Sequence, residues 1–173
     1  NDFFFYRPAG ESLAPFEMVL LAEQVVASPM DSLTTLVDAG MGTIIVNLLP
    51  GPNAFAFSAD LPESAVSYVE DIVDYHNKRL ADEIATLTDA GANIKIVDMG
   101  AMMDFVADDP SSFGFYAPYE SYIVQNSGDD GLTIGSLEGY TIDQYAFYDA
   151  AHPKDAYHLI LGTFAAVSVI YGA

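Results

Sequence analysis

Residues 38–52 decide the fold: Asp38-Ala39-Gly40-Met41-Gly42-Thr43-Ile44-Ile45-Val46-Asn47-Leu48-Leu49-Pro50-Gly51-Pro52. The run 43–49 is apolar and β-branched and is closed by turn residues, the pattern of a buried strand. Gly40 stops a helix predicted over 31–39, because a helix end often takes a left-handed residue. The phrase returns about fifty residues on. There Asp89-Ala90-Gly91 stops a second helix, and Ile94-Lys95-Ile96-Val97-Asp98 is the strand that follows. Helix, glycine and buried strand, stated twice, predict α/β layers around a parallel sheet.

Working outward, Asp60 with Glu63, and Pro62 inside the first turn, predict a capping-box start for the helix before Gly91. That helix places Val66, Val69, Val73, Leu80, Ile84 and Leu87 on one side. Upstream, Leu13, Phe16, Leu20 and Gln24 predict a separate helix over 12–27, behind an aromatic opening, Phe3-Phe4-Phe5-Tyr6. Downstream, 102–106 reads as a short helix. The stretch from Asp109 to about Thr141 reads as irregular, and a loop that long usually carries function or covers a site. Pro153 opens a last helix that runs to Ile170.

The 173 residues fit one domain, and 51% apolar against 17% charged residues supply a core. Asp and Glu number 25 against 5 Lys and Arg, a net charge of -20. Such a chain is not expected to bind nucleic acid, whose phosphates need cations to displace their counterions. Nor does it suit an anionic membrane surface. The longest apolar stretch, 159–171, is about two-thirds of a membrane span, so no span is expected. Cysteine is absent, which excludes disulfides, thiolate nucleophiles and Cys-based metal sites within these residues. No basic-then-apolar stretch opens the chain, and a trimmed start reads the same way. The surplus acidity suits a salt-rich or acidic setting, or simple solubility.

The segment Tyr145-Ala146-Phe147-Tyr148-Asp149-Ala150-Ala151-His152-Pro153 carries the chemistry. An aromatic strand runs into Asp-x-x-His, and a helix starts at once. An Asp there can reach the nearer ring nitrogen of the His, which leaves the other nitrogen to take a proton from a nucleophile. A second copy, Asp155-Ala156-Tyr157-His158, shows how cheaply the spacing arises. His158 lies inside the last helix, where packing or a surface role is the default. His152 lies on a loop–helix junction, where a side chain can point into a cleft. His76 lies within a helix and is read as structural.

These residues resemble the last block of the SGNH hydrolases, the GDSL esterase/lipase family: an aromatic strand, Asp-x-x-His-Pro and a helix. Asp38-Ala39-Gly40 with Ile44-Ile45-Val46-Asn47-Leu48-Leu49-Pro50 resembles the family's helix, Ala-Gly-Ala, strand and Asn-Leu-Pro-Pro passage. Tyr75-His76-Asn77 through Leu80 resembles its Phe-Asn…Leu helix. Ile96-Val97-Asp98 and Asp109-Pro110-Ser111-Ser112-Phe113-Gly114-Phe115 resemble its Val-Asp…Asn-Pro…Tyr-Gly-Phe passage. The resemblance implies a single domain over 1–173, a three-layer flavodoxin-like sandwich incomplete at its N-terminal part. It implies a serine ester hydrolase acting on acyl or acetyl esters of lipid or carbohydrate, with no cofactor and no metal. The expected location is secreted or extracellular.

One departure matters. The family's nucleophile sits in Gly-Asp-Ser, and no Gly-Asp-Ser occurs in the chain. Gly128-Asp129-Asp130-Gly131 lacks the serine. Asn1-Asp2 resembles the end of the family's Gly-x-Asn-Asp, which would make Asn1 the oxyanion-hole side chain; otherwise Asn1 is an ordinary residue. The resemblance thus implies a missing N-terminal segment, or a companion chain, supplying Ser and Gly. A sheet without its first strand and helix would expose strand edges and apolar faces. Two rivals stand beside this reading. One is an inactive SGNH-like binding or structural protein. The other is calcium held by Asp104, Asp108, Asp109, Asp129 and Asp130, against which no EF-hand spacing is present and a solvated acidic surface is the plainer account. Tyr116, Tyr119, Tyr122 and Tyr140 could stack on sugars, line an acyl groove or simply pack their loop.

Overall fold

The computed structural model describes residues 15–55, 58, 61–121, 123–125, 132–134, 141–149 and 151–171. They form a mixed α/β protein that divides into two compact units: 15–51 with 62–98, and 52–61 with 99–171. Among the described residues no helix is long and apolar enough to cross a membrane.

The first unit holds helix α1 (Pro15–Asp38), strand β1 (Ile44–Leu48), helix α2 (Glu63–Asp89) and strand β2 (Ile94–Asp98). β1 and β2 pair in parallel, Ile44 opposite Ile94 through Leu48 opposite Asp98. The two helix–glycine–strand passages share one geometry. Gly40 (φ 76°) and Gly91 (φ 104°) occupy the left-handed region. Gly40 N–H donates to Val37 O and Met41 N–H to Leu36 O; Gly91 N–H donates to Thr88 O and Ala92 N–H to Leu87 O. Each helix therefore ends in a Schellman motif, which satisfies its last carbonyls and turns the chain into its strand. Asn93 links the two turns, its amide donating to Gly42 O and Thr43 Oγ1.

The spacing of α2 accounts for the core of this unit. Val69, Val73, His76, Leu80 and Ile84 are buried at intervals of three and four, with Ile72 buried beside them. Leu80 and Ile84 pack with Ile44 and Ile94 of the strands and Val26 and Leu33 of α1. Val69, Ile72 and Val73 pack with Ala22 of α1. Ile45, on the opposite side of β1, is 53% exposed. Asn77 ends β1 by standing in for a neighbouring strand. Its Oδ1 accepts from Leu49 N–H at 2.9 Å and its Nδ2 donates to Leu49 O at 2.8 Å.

The second unit holds helix α3 (Met99–Asp108), strands β3 (Ala117–Ser121), β4 (Ile123–Gln125), β5 (Leu132–Ile134) and β6 (Tyr145–Phe147), and helix α4 (Asp155–Tyr171). β3 pairs with β6 in parallel, with a register shift, and β4 with β5 antiparallel. Its core joins Met103 and Val106 of α3, Phe115, Ala146 and Phe147 of β6, and Tyr157 and Leu161 of α4. The Tyr157 ring meets Phe115 and Phe147 edge-on, centroids 5.5 and 5.6 Å apart. Edge-to-face pairs of this kind add about 0.5–1.5 kcal/mol each beyond the area they bury.

Several sequence expectations shift. The helices expected over 12–27 and 31–39 are one helix among the described residues, with Pro29 inside it. Proline forfeits one backbone hydrogen bond there, a loss that packing of Val26 and Leu33 against the strands outweighs. α2 begins at Glu63 after Pro62, with no side-chain cap; Glu63 is thus its first residue, and Asp60 lies outside the described residues. The region expected to be irregular contains β3, β4 and β5, and Tyr122 and Tyr140 lie outside the described residues. The last helix starts at Asp155, because Pro153 is used in a bridge to Phe147.

His76 is 4% exposed, and this burial pushes its imidazole below the usual value of 6.5, against the raising effect of Asn77. Above 6.5 both folded and unfolded chains hold it neutral. As the pH falls through 6.5 the unfolded chain takes the proton first, so stability present above that value is lost on acidification. Thermal melts between pH 8 and 5 are expected to show this loss, and His76→Gln to flatten it. An NMR titration of the His76 ring reading at or above 6.5 would contradict the account.

Candidate active site

Strand β6 is wholly buried, and the chain leaves it at Tyr148 to reach α4 at Asp155. The turn between them is closed by two backbone hydrogen bonds. Tyr148 N–H donates to His152 O and Lys154 N–H to Ala146 O, each at 2.8 Å. Pro153 completes the bridge to Phe147. The turn is thus anchored on the aromatic core of the second unit, since Phe147 and Ala146 belong to it.

Within the turn Asp149 Oδ1 accepts from the N–H groups of Ala151 (2.9 Å) and His152 (2.8 Å). This is the local bond that Asp makes readily with the backbone two or three residues on. Both carboxylate oxygens also lie 2.8 Å from His152 Nδ1. One carboxylate is therefore fixed by the backbone and in turn fixes the imidazole. Partial burial pushes the Asp149 carboxyl up, but the Ala151 and His152 N–H groups, then the imidazole, outweigh it and hold the group below its ordinary 3.8. With an ionised carboxylate at Nδ1 the proton of the neutral ring resides there, and Nε2 is the acceptor nitrogen. The His152 side chain is 79% exposed and that of Asp149 39%.

His152 stands on a cleft of about 590 Å³ whose other walls are Asp143, Tyr148, Pro153, Lys154, Asp155 and Ala156. Lys154 Nζ donates to Ile142 O and lies 3.8 Å from Asp143 Oδ1. Chemically, the site offers an oriented base at Nε2, its orienting acid, and a polar wall. Among the described residues no three His, Asp or Glu side chains gather in a way that would hold a metal ion. Asp109 is held by Ser111 and Ser112 as the cap of a short helical turn, and Asp129 and Asp130 lie outside the described residues.

The residues singled out from sequence fare differently. Asp149 and His152 are brought together as their spacing predicted. Asn1 lies outside the described residues. Asp155 and His158 are both exposed on α4, and His158 N–H is spent on the helix bond to Lys154 O. His76 is buried in the first unit. Sequence reading missed the two N–H groups that fix Asp149. The signal was Asp149 itself, since an Asp outside regular structure binds the backbone N–H groups two and three residues on. It also missed Tyr148, Asp143 and Lys154 as cleft walls. No protein-family model matches the chain, and comparison with curated proteins finds no match.

Asp149→Ala removes the acceptor for two amides. Their hydrogen exchange is expected to quicken by about ten- to a hundredfold, the equivalent of one or two hydrogen bonds. In the unaltered chain that protection contributes stability above 3.8 and is lost only as the pH falls through the lower folded value. Loss of protection at or above pH 3.8 would contradict the carboxylate's role.

Proposed function

We propose that the chain is the C-terminal part of an SGNH hydrolase domain, a three-layer α/β sandwich, and hydrolyses carboxylic esters, acyl or acetyl, of lipid or carbohydrate. The attacking serine comes from polypeptide outside these 173 residues, and the expected location is secreted or extracellular. The single observation that carries this reading is the Asp149–His152 contact at 2.8 Å, in the turn between a buried aromatic strand and the last helix. The parallel pairing of β1 and β2 after two helix–glycine turns supports it at the level of fold.

In this mechanism the serine oxygen attacks the ester carbonyl carbon as His152 Nε2 takes its proton. Asp149 holds the ring and stabilises the imidazolium that forms. The carbonyl oxygen becomes an oxyanion, which the amide of Asn1 and backbone N–H groups bind; one such donor is worth about a hundred- to a thousandfold in rate. The acyl carbon–oxygen bond then breaks, and His152 returns the proton to the departing alcohol. Water, deprotonated by the same nitrogen, releases the acid and restores the serine.

In the native full polypeptide His152→Ala is expected to lower kcat/KM on 4-nitrophenyl acetate by at least about a thousandfold, since base and nucleophile act as one unit. His158→Ala is expected to stay within about twofold, as an exposed helix residue away from the turn should. A fluorophosphonate probe should label a serine outside residues 1–173. Near-normal turnover without His152, or labelling within these residues, would overturn the proposal.

A further inference from the structure

We propose that the outer face of α4 pairs with the same face of a second copy of the chain, the two helices antiparallel across a two-fold axis. A helix on the surface of a globular protein usually has one apolar and one polar side. α4 does not. From Leu159 to Tyr171 no Asp, Glu, Lys or Arg occurs, in a chain that carries 25 acids. Tyr157 and Leu161 belong to the core of the second unit. On the other side Leu159 is 73% exposed, Ile170 70% and Val167 43%, with Gly162, Thr163 and Ala166 exposed between them. The one hydroxyl on this face is spent within its own helix, Thr163 Oγ1 donating to Leu159 O at 2.8 Å. A side chain at Gly162 would meet nothing within 4 Å, so another backbone can come close there. Beside the helix Phe105 of α3 is 58% exposed and stands edge-on to Phe164, centroids 5.5 Å apart. Its ring widens the apolar surface.

The order of residues along the face names its occupant. About a point between Phe164 and Ala165, Leu159 mirrors Ile170, Gly162 mirrors Val167 and Thr163 mirrors Ala166. A two-fold axis at that point sets Leu159 of one copy against Ile170 of the other. It fits each Val167 into the gap at the other copy's Gly162, and it leaves small residues at the centre, where the helices cross closest. The face is thus complementary to itself, as an isologous contact requires. The antiparallel arrangement also places the positive end of each helix beside the negative end of the other. A helix that lies on a bilayer carries Lys and Arg along its polar flank. α4 has neither, and Lys154 just before it is bound to Ile142 O and faces Asp143. A partner held by charge finds nothing on this face to hold it. A stable interface buries at least about 1,200 Å² in total, so the contact uses the Phe105 rings as well as α4. No residue of the Asp149–His152 turn takes part, and the pairing stands apart from the ester reading.

Sedimentation equilibrium of the native full polypeptide tests the pairing, in about 0.1 M and about 1 M NaCl, where the screening length falls from about 10 to about 3 Å. Each copy carries a net charge of -20, so a dimer joined through an uncharged face is expected to tighten at the higher salt. Ala166→Glu sets a charge beside the axis and is expected to leave monomer at every concentration, with an unchanged circular dichroism spectrum. Thr86→Glu adds the same charge at an exposed position of α2 and is expected to keep the dimer. Disulfide trapping reads the orientation, since these residues contain no cysteine. Leu159→Cys mixed with Ile170→Cys is expected to cross-link, and neither variant alone. In the antiparallel pair the two copies of residue 159 are offset by about 16 Å along the helices, beyond the roughly 7 Å that a disulfide spans. Monomer at every concentration, a dimer that survives Ala166→Glu or is lost with Thr86→Glu, or cross-linking of Leu159→Cys with itself would overturn the inference. Binding to phosphatidylcholine vesicles in place of dimerisation would overturn it too, and would assign the face to lipid.

Discussion

The carboxylate of Asp149 carries four contacts at once: two backbone N–H groups on one oxygen, and His152 Nδ1 within reach of both. The esterase function proposed for the chain depends on it. A free carboxylate in water would have no fixed direction, and an exposed imidazole would turn about its own bonds. Here the backbone bonds settle the acid first, and the acid then settles the base. The turn is held from below by a strand with no exposed residue and by Tyr157, whose ring lies between Phe115 and Phe147. Rigidity thus passes from the aromatic core to a side chain that is 79% exposed.

Charge alone does not distinguish this acid among 25. Asp155 precedes a His at the same spacing, yet both sit on the regular backbone of α4, where the His158 N–H is committed to Lys154 O. Asp149 sits where the chain leaves a strand and cannot yet begin a helix, because Pro153 intervenes. Amides released by the absence of regular structure are what fix it. The difference between the two copies is a difference in backbone hydrogen-bond accounting.

That contrast also explains what was legible in the sequence. The helix–glycine–strand passages were readable, because a glycine at a left-handed position and a β-branched run are local signals, and both passages fold with the same pair of terminal hydrogen bonds. The Asp149–His152 pair was readable because it spans a single turn. The strands β3, β4 and β5 were not, since each is held by pairing with a distant or neighbouring segment rather than by its own pattern. Continuity of α1 through Pro29 was missed for a similar reason, as its packing partners lie in other elements. Asn77 read as part of a helix, yet its amide completes the end of β1, a contact between residues 28 apart in sequence.

A base that is well aimed but largely exposed has a definite physical consequence. In water an imidazolium formed in the proposed acyl transfer would be stabilised by solvent almost as well as by Asp149, and the ion pair would gain little. The same pair under a cover that excludes water would act through a far lower dielectric, where a fixed carboxylate stabilises the transient charge much more strongly. The exposure of His152 therefore fits the proposed division of labour. The polypeptide that brings the serine to Nε2 would also bury the ring, so that nucleophile and low dielectric arrive together.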